Sequence, residues 1–335
     1  MKKRYIVYAC VILLVAVQFL LPTPLPPIQL PGEAVIDGVP ILGSITNTFI
    51  GTLLTFLILI GMTLALRARS RTADEIPTGF YNFFEMIVEF AYGYVEGAAG
   101  KWAKNFFPFF LTFILWIVVA NWMELVPLVD SLGKFENIPE HQVHLAEQAA
   151  EKEGYHLSEA EIKAVEEQYE GTGAVKNGPW LLKAKEGDTD ANYTVVSFVR
   201  AAATDLNFTL AIAIISVIMT QYYGMKAQGL KYWTKFFVWN GDKIAKDPLA
   251  IMDTGVGLLE FISEVFKIVS FAFRLLGNIF AGQILLFVMA FLLPIANLLF
   301  WHLEFAVGLL QAAVFALLTL TFMSSATQGH GEEAH

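Results

Sequence analysis

Long apolar runs separated by short polar stretches set the pattern of this 335-residue chain. Residues 45–66, 206–225 and 305–329 contain no Asp, Glu, Lys or Arg over 22, 20 and 25 positions respectively. About 20 such residues cross a bilayer as a helix. The pattern predicts spans at about 45–66, 106–126 and 204–225, followed by two longer apolar stretches at 251–293 and 295–325. A further apolar run, 5–21, follows Lys2, Lys3 and Arg4 and precedes Pro22, Pro24, Pro26 and Pro27. A retained N-terminal span is favoured there over a cleaved signal peptide, because no small-residue cleavage site is clear. The expected fold class is all-α: about five core transmembrane helices plus the N-terminal span, ending in a long, strongly tilted helical hairpin.

The tilt follows from length. Residues 256–293 as one helix would run about 57 Å at 1.5 Å per residue, against a hydrocarbon core of about 30 Å. That stretch must either break or lie steeply inclined, beyond the usual 0–40° range. Pro294 separates it from the second arm. Between the first spans, Phe80, Phe83, Phe84, Ile87, Val88 and Ala91 alternate with Glu85, Glu89 and Glu96. This spacing predicts an amphipathic interfacial helix over 76–100. Residues 127–195 are hydrophilic and predict two short solvated helices, 139–153 and 158–170, the second with Ser158 and Glu161 as a capping box. The ion-conducting part of the membrane domain is placed at 196–326.

Composition sharpens the class. The chain is 56% hydrophobic and 16% charged, with a mean hydropathy of +0.56, whereas soluble domains carry about 25% charged residues. A nucleic-acid binder, a secreted disulfide scaffold and a soluble enzyme are excluded; Cys10 is the single cysteine. The net charge of −9 sits almost wholly in 127–195, which holds 14 acids and 6 bases. Elsewhere the bases orient the spans. Arg67, Arg69, Arg71, Lys101 and Lys104 in one loop, and Lys226, Lys231, Lys235, Lys243 and Lys246 in another, belong on the cytoplasmic side. The acidic insertion then lies outside, and the tail from Gly329 lies in the cytoplasm.

The chemistry concentrates in the hairpin. At 100° per residue, Glu260, Glu264, Lys267, Arg274 and Asn278 fall within a stripe of about 80°, with Gln283 off it. Intramembrane ionisable groups are costly and commonly mark ion paths. Arg274 is the sharpest of them, since its guanidinium keeps its proton in a protein. Its other reading is snorkelling, or pairing with a carboxylate such as Glu264, but 18 uncharged residues follow it. Glu260, Glu264 and Lys267 also fit an ordinary helix-surface ion-pair set. In the second arm Glu304 and Gln311 share a face, with His302 offset, and Glu304 fits a proton relay. Asp205 with Asn207, and Asn121 with Glu124, fit helix caps as well as function. His141, His144 and His156, with Glu140 and Glu147, read as a solvated acidic helix rather than a metal site. No Gly-rich phosphate loop, nucleophile elbow or zincin motif is present, so no cofactor and no ATP binding are expected.

The string Phe273-Arg-Leu-Leu-Gly-Asn-Ile-Phe-Ala-Gly282 closely resembles the arginine-helix signature of subunit a of F-type ATP synthases. The resemblance extends through Glu260-Phe-Ile-Ser-Glu264, Leu303-Glu-Phe-Ala-Val-Gly-Leu-Leu-Gln311, Thr204-Asp-Leu-Asn-Phe-Thr-Leu210, and Pro108 to Pro127. It covers about 45–126 and 195–326. The resemblance implies a non-catalytic stator that conducts protons through two offset half-channels to and from a ring of c subunits, with Arg274 facing the ring carboxylates. It also implies an outer half-channel of Asn278, Gln283, Glu304 and Gln311, with His302 near, and a cytoplasmic one of Glu260, Glu264, Ser263 and Ser270. Gln283 departs from the pattern, since many members carry an acid or His there; proton handling would then rest on Glu304. The implied partners are the c-ring, b-type peripheral stalk subunits, the other synthase subunits and the lipid bilayer, with no nucleic acid. The implied location is a bacterial plasma membrane. An independent secondary transporter or channel using Arg274 and Glu304 is the alternative, but such proteins commonly show internal repeats and none is seen. A membrane scaffold leaves Arg274 and Glu304 unexplained, and sodium as the coupling ion stays open.

Overall fold

The computed structural model describes residues 32–39, 43–70, 79–126, 129, 132–178, 180–182, 190–236 and 250–328. The expected N-terminal span at 5–21 and the tail from Gly329 lie outside the described residues. The elements run β1 (Ala34–Val39), β2 (Gly43–Thr46), α1 (Asn47–Ser70), α2 (Phe80–Ala99), α3 (Ala103–Glu124) and β3 (Gly133–Asn137). They continue with α4 (Ile138–Glu153), α5 (Glu159–Tyr169), β4 (Val175–Asn177), β5 (Trp180–Leu182), β6 (Tyr193–Ser197), α6 (Leu206–Gln228), α7 (Ala250–Leu292) and α8 (Pro294–Thr327). Short 3₁₀ turns join α2 to α3 at Gly100–Trp102, precede α6 at Ala202–Thr204, and follow it at Gly229–Lys235.

Five described helical stretches are long and apolar enough to cross a membrane: Asn47–Arg67, Phe80–Glu124, Leu206–Lys235, Gly255–Ala290 and Ile295–Thr327. The five core spans expected from the apolar pattern are therefore present, in an all-α membrane architecture. The first arm of the hairpin does not break. α7 is continuous over 43 residues, about 64 Å long, and α8 starts on Pro294, a residue suited to the first helical turn because it lacks a donor the turn does not use. The chain falls into two compact units, to both of which α7 and α8 contribute.

The larger unit comprises Gly51–Met123, Ala201–Phe280 and Ala306–His335. Its core is aromatic and small-residue packing: Phe106, Phe110, Phe113 and Ile117 of α3, Ala213 and Tyr223 of α6, Phe271, Ala272, Leu275 and Ile279 of α7, and Ala312, Phe315 and Ala316 of α8. Without a hydrophobic drive between helices in lipid, small residues that allow close approach and polar side chains that bond across helices hold such bundles. Both devices are used. Ser216 of α6 bonds Thr319 of α8 at 2.8 Å. The hydroxyls of Thr55, Thr220 and Thr319 each donate to the carbonyl four residues back, so no apolar span carries them unpaired.

The other unit comprises Met1–Ile50, Glu124–Arg200 and Ala281–Phe305. Strands β1 and β2 form an antiparallel hairpin. β3 pairs antiparallel with β6, with Gly133 opposite Ser197 and Asn137 opposite Tyr193. The two insertion helices expected at 139–153 and 158–170 are α4 and α5. The capping box forms: the Ser158 hydroxyl accepts from the Glu161 amide, and the Glu161 carboxylate accepts from the Ser158 amide at 2.9 Å. Those bonds hold the Glu161 carboxyl below the usual range. The strands of this insertion were not expected, and they tie its ends together.

Candidate functional site

In the larger unit, α7 buries Phe271, Ala272, Leu275, Leu276 and Ile279 and exposes Val265, Phe266, Val269, Phe273 and Gly277. Arg274 lies on the exposed face. Among the described residues it makes no ion pair; its guanidinium lies 6.0 Å from the centre of the Phe271 ring. The alternative pairing with Glu264 does not form: the two lie ten residues apart on one continuous helix, about 15 Å along its axis. Ser263 and Ser270 are exposed on the same helix. Asn278 is half-buried with its amide nitrogen unpartnered among the described residues, and Gln311 of α8 is buried with its amide nitrogen in the same state. Asn121 of α3 is buried and donates to the Gly308 carbonyl at 3.2 Å. Asp205 is the N-cap of α6, accepting from the Asn207 amide at 2.8 Å, so its capping reading holds.

Near the start of α7 a second set of charges converges. Glu264 is 9% exposed. One of its oxygens accepts from Lys267 at 2.8 Å and the other from the Gln221 amide of α6 at 2.9 Å. Lys235, from the 3₁₀ turn after α6, lies 3.6 Å from both Glu260 and Glu264. The helix-surface pair expected from spacing, Glu264 with Lys267, is therefore real but belongs to a larger tertiary network. Lys235 was not singled out by sequence, where it reads as one of five loop bases.

In the other unit Glu304 of α8 is buried, at 6% exposure, and one of its oxygens has no hydrogen-bond partner among the described residues. Its carboxyl group lies on the backbone of Gly282 of α7: a Cβ built on Gly282 would overlap it. Glycine at 282 thus makes room for the acid. Gly282→Ala should displace the Glu304 carboxyl and lower ATP-driven pumping, by up to about 100-fold if that carboxyl handles protons, the scale of a misplacement of about 1 Å at a reacting group. Alanine favours the helix by about 1 kcal/mol, so the loss would not come from a weakened α7. Vesicle acidification checks this, and wild-type pumping in the variant would show that Glu304 has no fixed position.

Gln283 is buried, and its Oε1 accepts from Arg200 Nη2 at 3.2 Å. Arg200 is itself buried, and its amide donates to the Asn47 carbonyl at 3.2 Å. Asn47 in turn bonds Glu33 and the Ser197 carbonyl. Burial pushes the Glu33 carboxyl up to about 6, opposed by Arg200 and assisted by Glu136. Arg200 escaped the sequence reading because its partners are remote along the chain, Gln283 lying 83 residues away. His302 is exposed, with Nδ1 2.7 Å from the Leu298 carbonyl. In the insertion, His141 lies 3.5 Å from Glu136.

A chain of long apolar helices with a permanent cation on an exposed helix face and a buried carboxyl on the following helix is an ion-handling membrane protein. The profile of the ATP synthase A chain family matches residues 49–324. Subunit a of the ATP synthase of Mycobacterium ulcerans is 25% identical over 288 residues, covering 84% of this chain and 87% of that protein. The Moorella thermoacetica subunit a is 25% identical over 296 residues, covering 87% and 94%. Subunit a 2 of Hahella chejuensis is 27% identical over 269 residues, covering 79% and 76%. The chain belongs to the ATP synthase A chain family. It is a non-catalytic, proton-conducting stator subunit of the ATP synthase complex, and the independent transporter or channel is not favoured.

Proposed function

We propose that Arg274 is the stator charge that meets each c-ring carboxylate as the ring turns. The observation that carries this reading is the exposure of Arg274 on α7 without an internal ion pair among the described residues. A fixed cation at short range favours an ionised carboxylate, so each ring site gives up its proton on one side of Arg274 and regains one on the other. The same charge repels protons that would pass straight between the half-channels. Asn278, Gln283, Glu304 and Gln311 serve the outer half-channel, with Arg200 fixing the Gln283 amide. Glu260 and Ser270 serve the cytoplasmic one. His302 is a peripheral member at most, since it faces outward. The α7–α8 hairpin lies steeply inclined in the plasma membrane of a bacterium, the acidic insertion lies outside, and the b-type stalk holds the chain static.

Cross-linking tests the ring-facing assignment. Cysteine at exposed Gly277 should form a disulfide with cysteines on the outer helix of the c subunit, whereas cysteine at buried Leu275 should not. Equal yields at the two positions would sink the assignment.

A further inference from the structure

Lys235 occupies an unusual position for a base counted among loop cations. Its ammonium lies 4.4 Å from the ring centres of both Tyr232 and Phe236, and its side chain is 12% exposed. Tyr232 is held in turn: its hydroxyl donates to Gln221 at 2.7 Å, and its ring packs on Gly224, where a Cβ would overlap it. So caged, the ammonium sits 3.6 Å from Glu260 and 3.6 Å from Glu264. The two carboxylates differ. Glu264 is filled with donors from Lys267 and Gln221, whereas Glu260 has Lys235 as its one charge partner among the described residues and a side chain 33% exposed. Both line a polar cavity of about 100 Å³ with Thr220, Gln228 and Lys267.

We propose that Lys235 is a positioning residue for proton exchange at Glu260, a tethered cation shared between an acid that exchanges protons and an acid that does not. When Glu260 takes a proton from cytoplasmic water, Lys235 moves its attraction to Glu264. When Glu260 passes that proton toward the ring, Lys235 again bridges the two carboxylates. The charged and titratable groups facing the cavity from the described elements are Lys235 and Tyr232 of the 3₁₀ turn, and Glu260, Glu264 and Lys267 of α7; α6 and α8 contribute only uncharged residues there, among them Gln228, Phe322 and Ser325. This inference rests on the reading of Glu260 as part of the cytoplasmic half-channel.

The pH profile of ATP-driven pumping in inverted vesicles carrying the whole synthase tests it. Proton uptake limits the alkaline limb of that profile. Withdrawing a cation from beside a carboxylate favours its protonated form, and withdrawing a neighbouring anion does the reverse. Lys235→Met should therefore move the alkaline limb to higher pH by about one pH unit, and Glu264→Gln should move it to lower pH. Lys235→Arg, which keeps the charge, should stay near wild type. A purely structural role would lower the rate in both variants without opposite displacements. Unmoved limbs, or limbs moved the same way, would overturn the proposal. Should Lys235→Met fail to co-purify with the catalytic sector, the direction in Glu264→Gln decides alone. Glu260→Gln separates the two levels. If it pumps like wild type, the cytoplasmic half-channel reading fails; if it stops pumping while the other limbs stay fixed, only the role of Lys235 fails.

Discussion

Replacing Arg274 by alanine is expected to bring ATP-driven acidification of inverted vesicles to background, while the chain still assembles and the catalytic sector still hydrolyses ATP. The side chain lies on the exposed face of α7 and contributes no ion pair to the packing of its unit among the described residues, so its removal leaves the buried set Phe271, Ala272, Leu275 and Ile279 untouched. What is lost is a permanent positive charge on a helix long and apolar enough to span the membrane. Each elementary charge moved through 100 mV is worth about 2.3 kcal/mol, and that work reaches the ring only while protons are prevented from passing directly between half-channels. In the role proposed for Arg274, alanine removes the obstacle along with the attraction. Arg274→Lys should recover little, because an ammonium is a point charge that yields its proton when desolvated, unlike the planar guanidinium. Co-purification with the catalytic sector and ATP hydrolysis are the controls. Undiminished acidification in Arg274→Ala would reduce this residue to a surface cation.

The second large effect is expected at Glu304. Glu304→Gln preserves the shape of the side chain over Gly282 and removes only its ability to gain and lose a proton. Pumping should fall by about 100-fold, the scale of one positioned acid–base group, with assembly intact. Glu304→Asp should retain part of the rate. His302→Ala, two residues away, should change it little, because His302 faces outward and its Nδ1 is engaged with the Leu298 carbonyl. Pumping is read as quenching of a vesicle pH dye at fixed ATP. A Glu304→Gln variant with wild-type rates would move the burden of proton handling away from this residue.

The spans were legible because lipid leaves the backbone few choices: a charge-free run of about 20 residues must be a helix, and the runs at 45–66 and 206–225 reappear as α1 and α6. The solvated helices α4 and α5 were legible from periodicity and, for α5, from the Ser158–Glu161 cap. β3 and β6 were not, since neither five-residue strand has a signal apart from a partner that lies in sequence beyond two helices. The polar residues of α7 and α8 stood out by type and depth, yet their surroundings did not. Nothing in the spacing of Glu264 and Lys267 reveals Lys235 or Gln221 beside them, because those partners arrive through tertiary packing. Arg200 was hidden for the same reason. Whether α7 breaks was open too: length set the conflict with bilayer thickness, and only the folded chain shows one uninterrupted helix.

The meeting of Gly282 and Glu304 has an evolutionary corollary. The two positions divide a single small space, so the atoms granted to one are denied to the other. A lineage that enlarges residue 282 must shorten, bend or relocate the group at 304, and a lineage that shortens 304 frees room for a side chain, even a titratable one, on the opposite helix. Sequence change at the two positions should therefore be reciprocal in size.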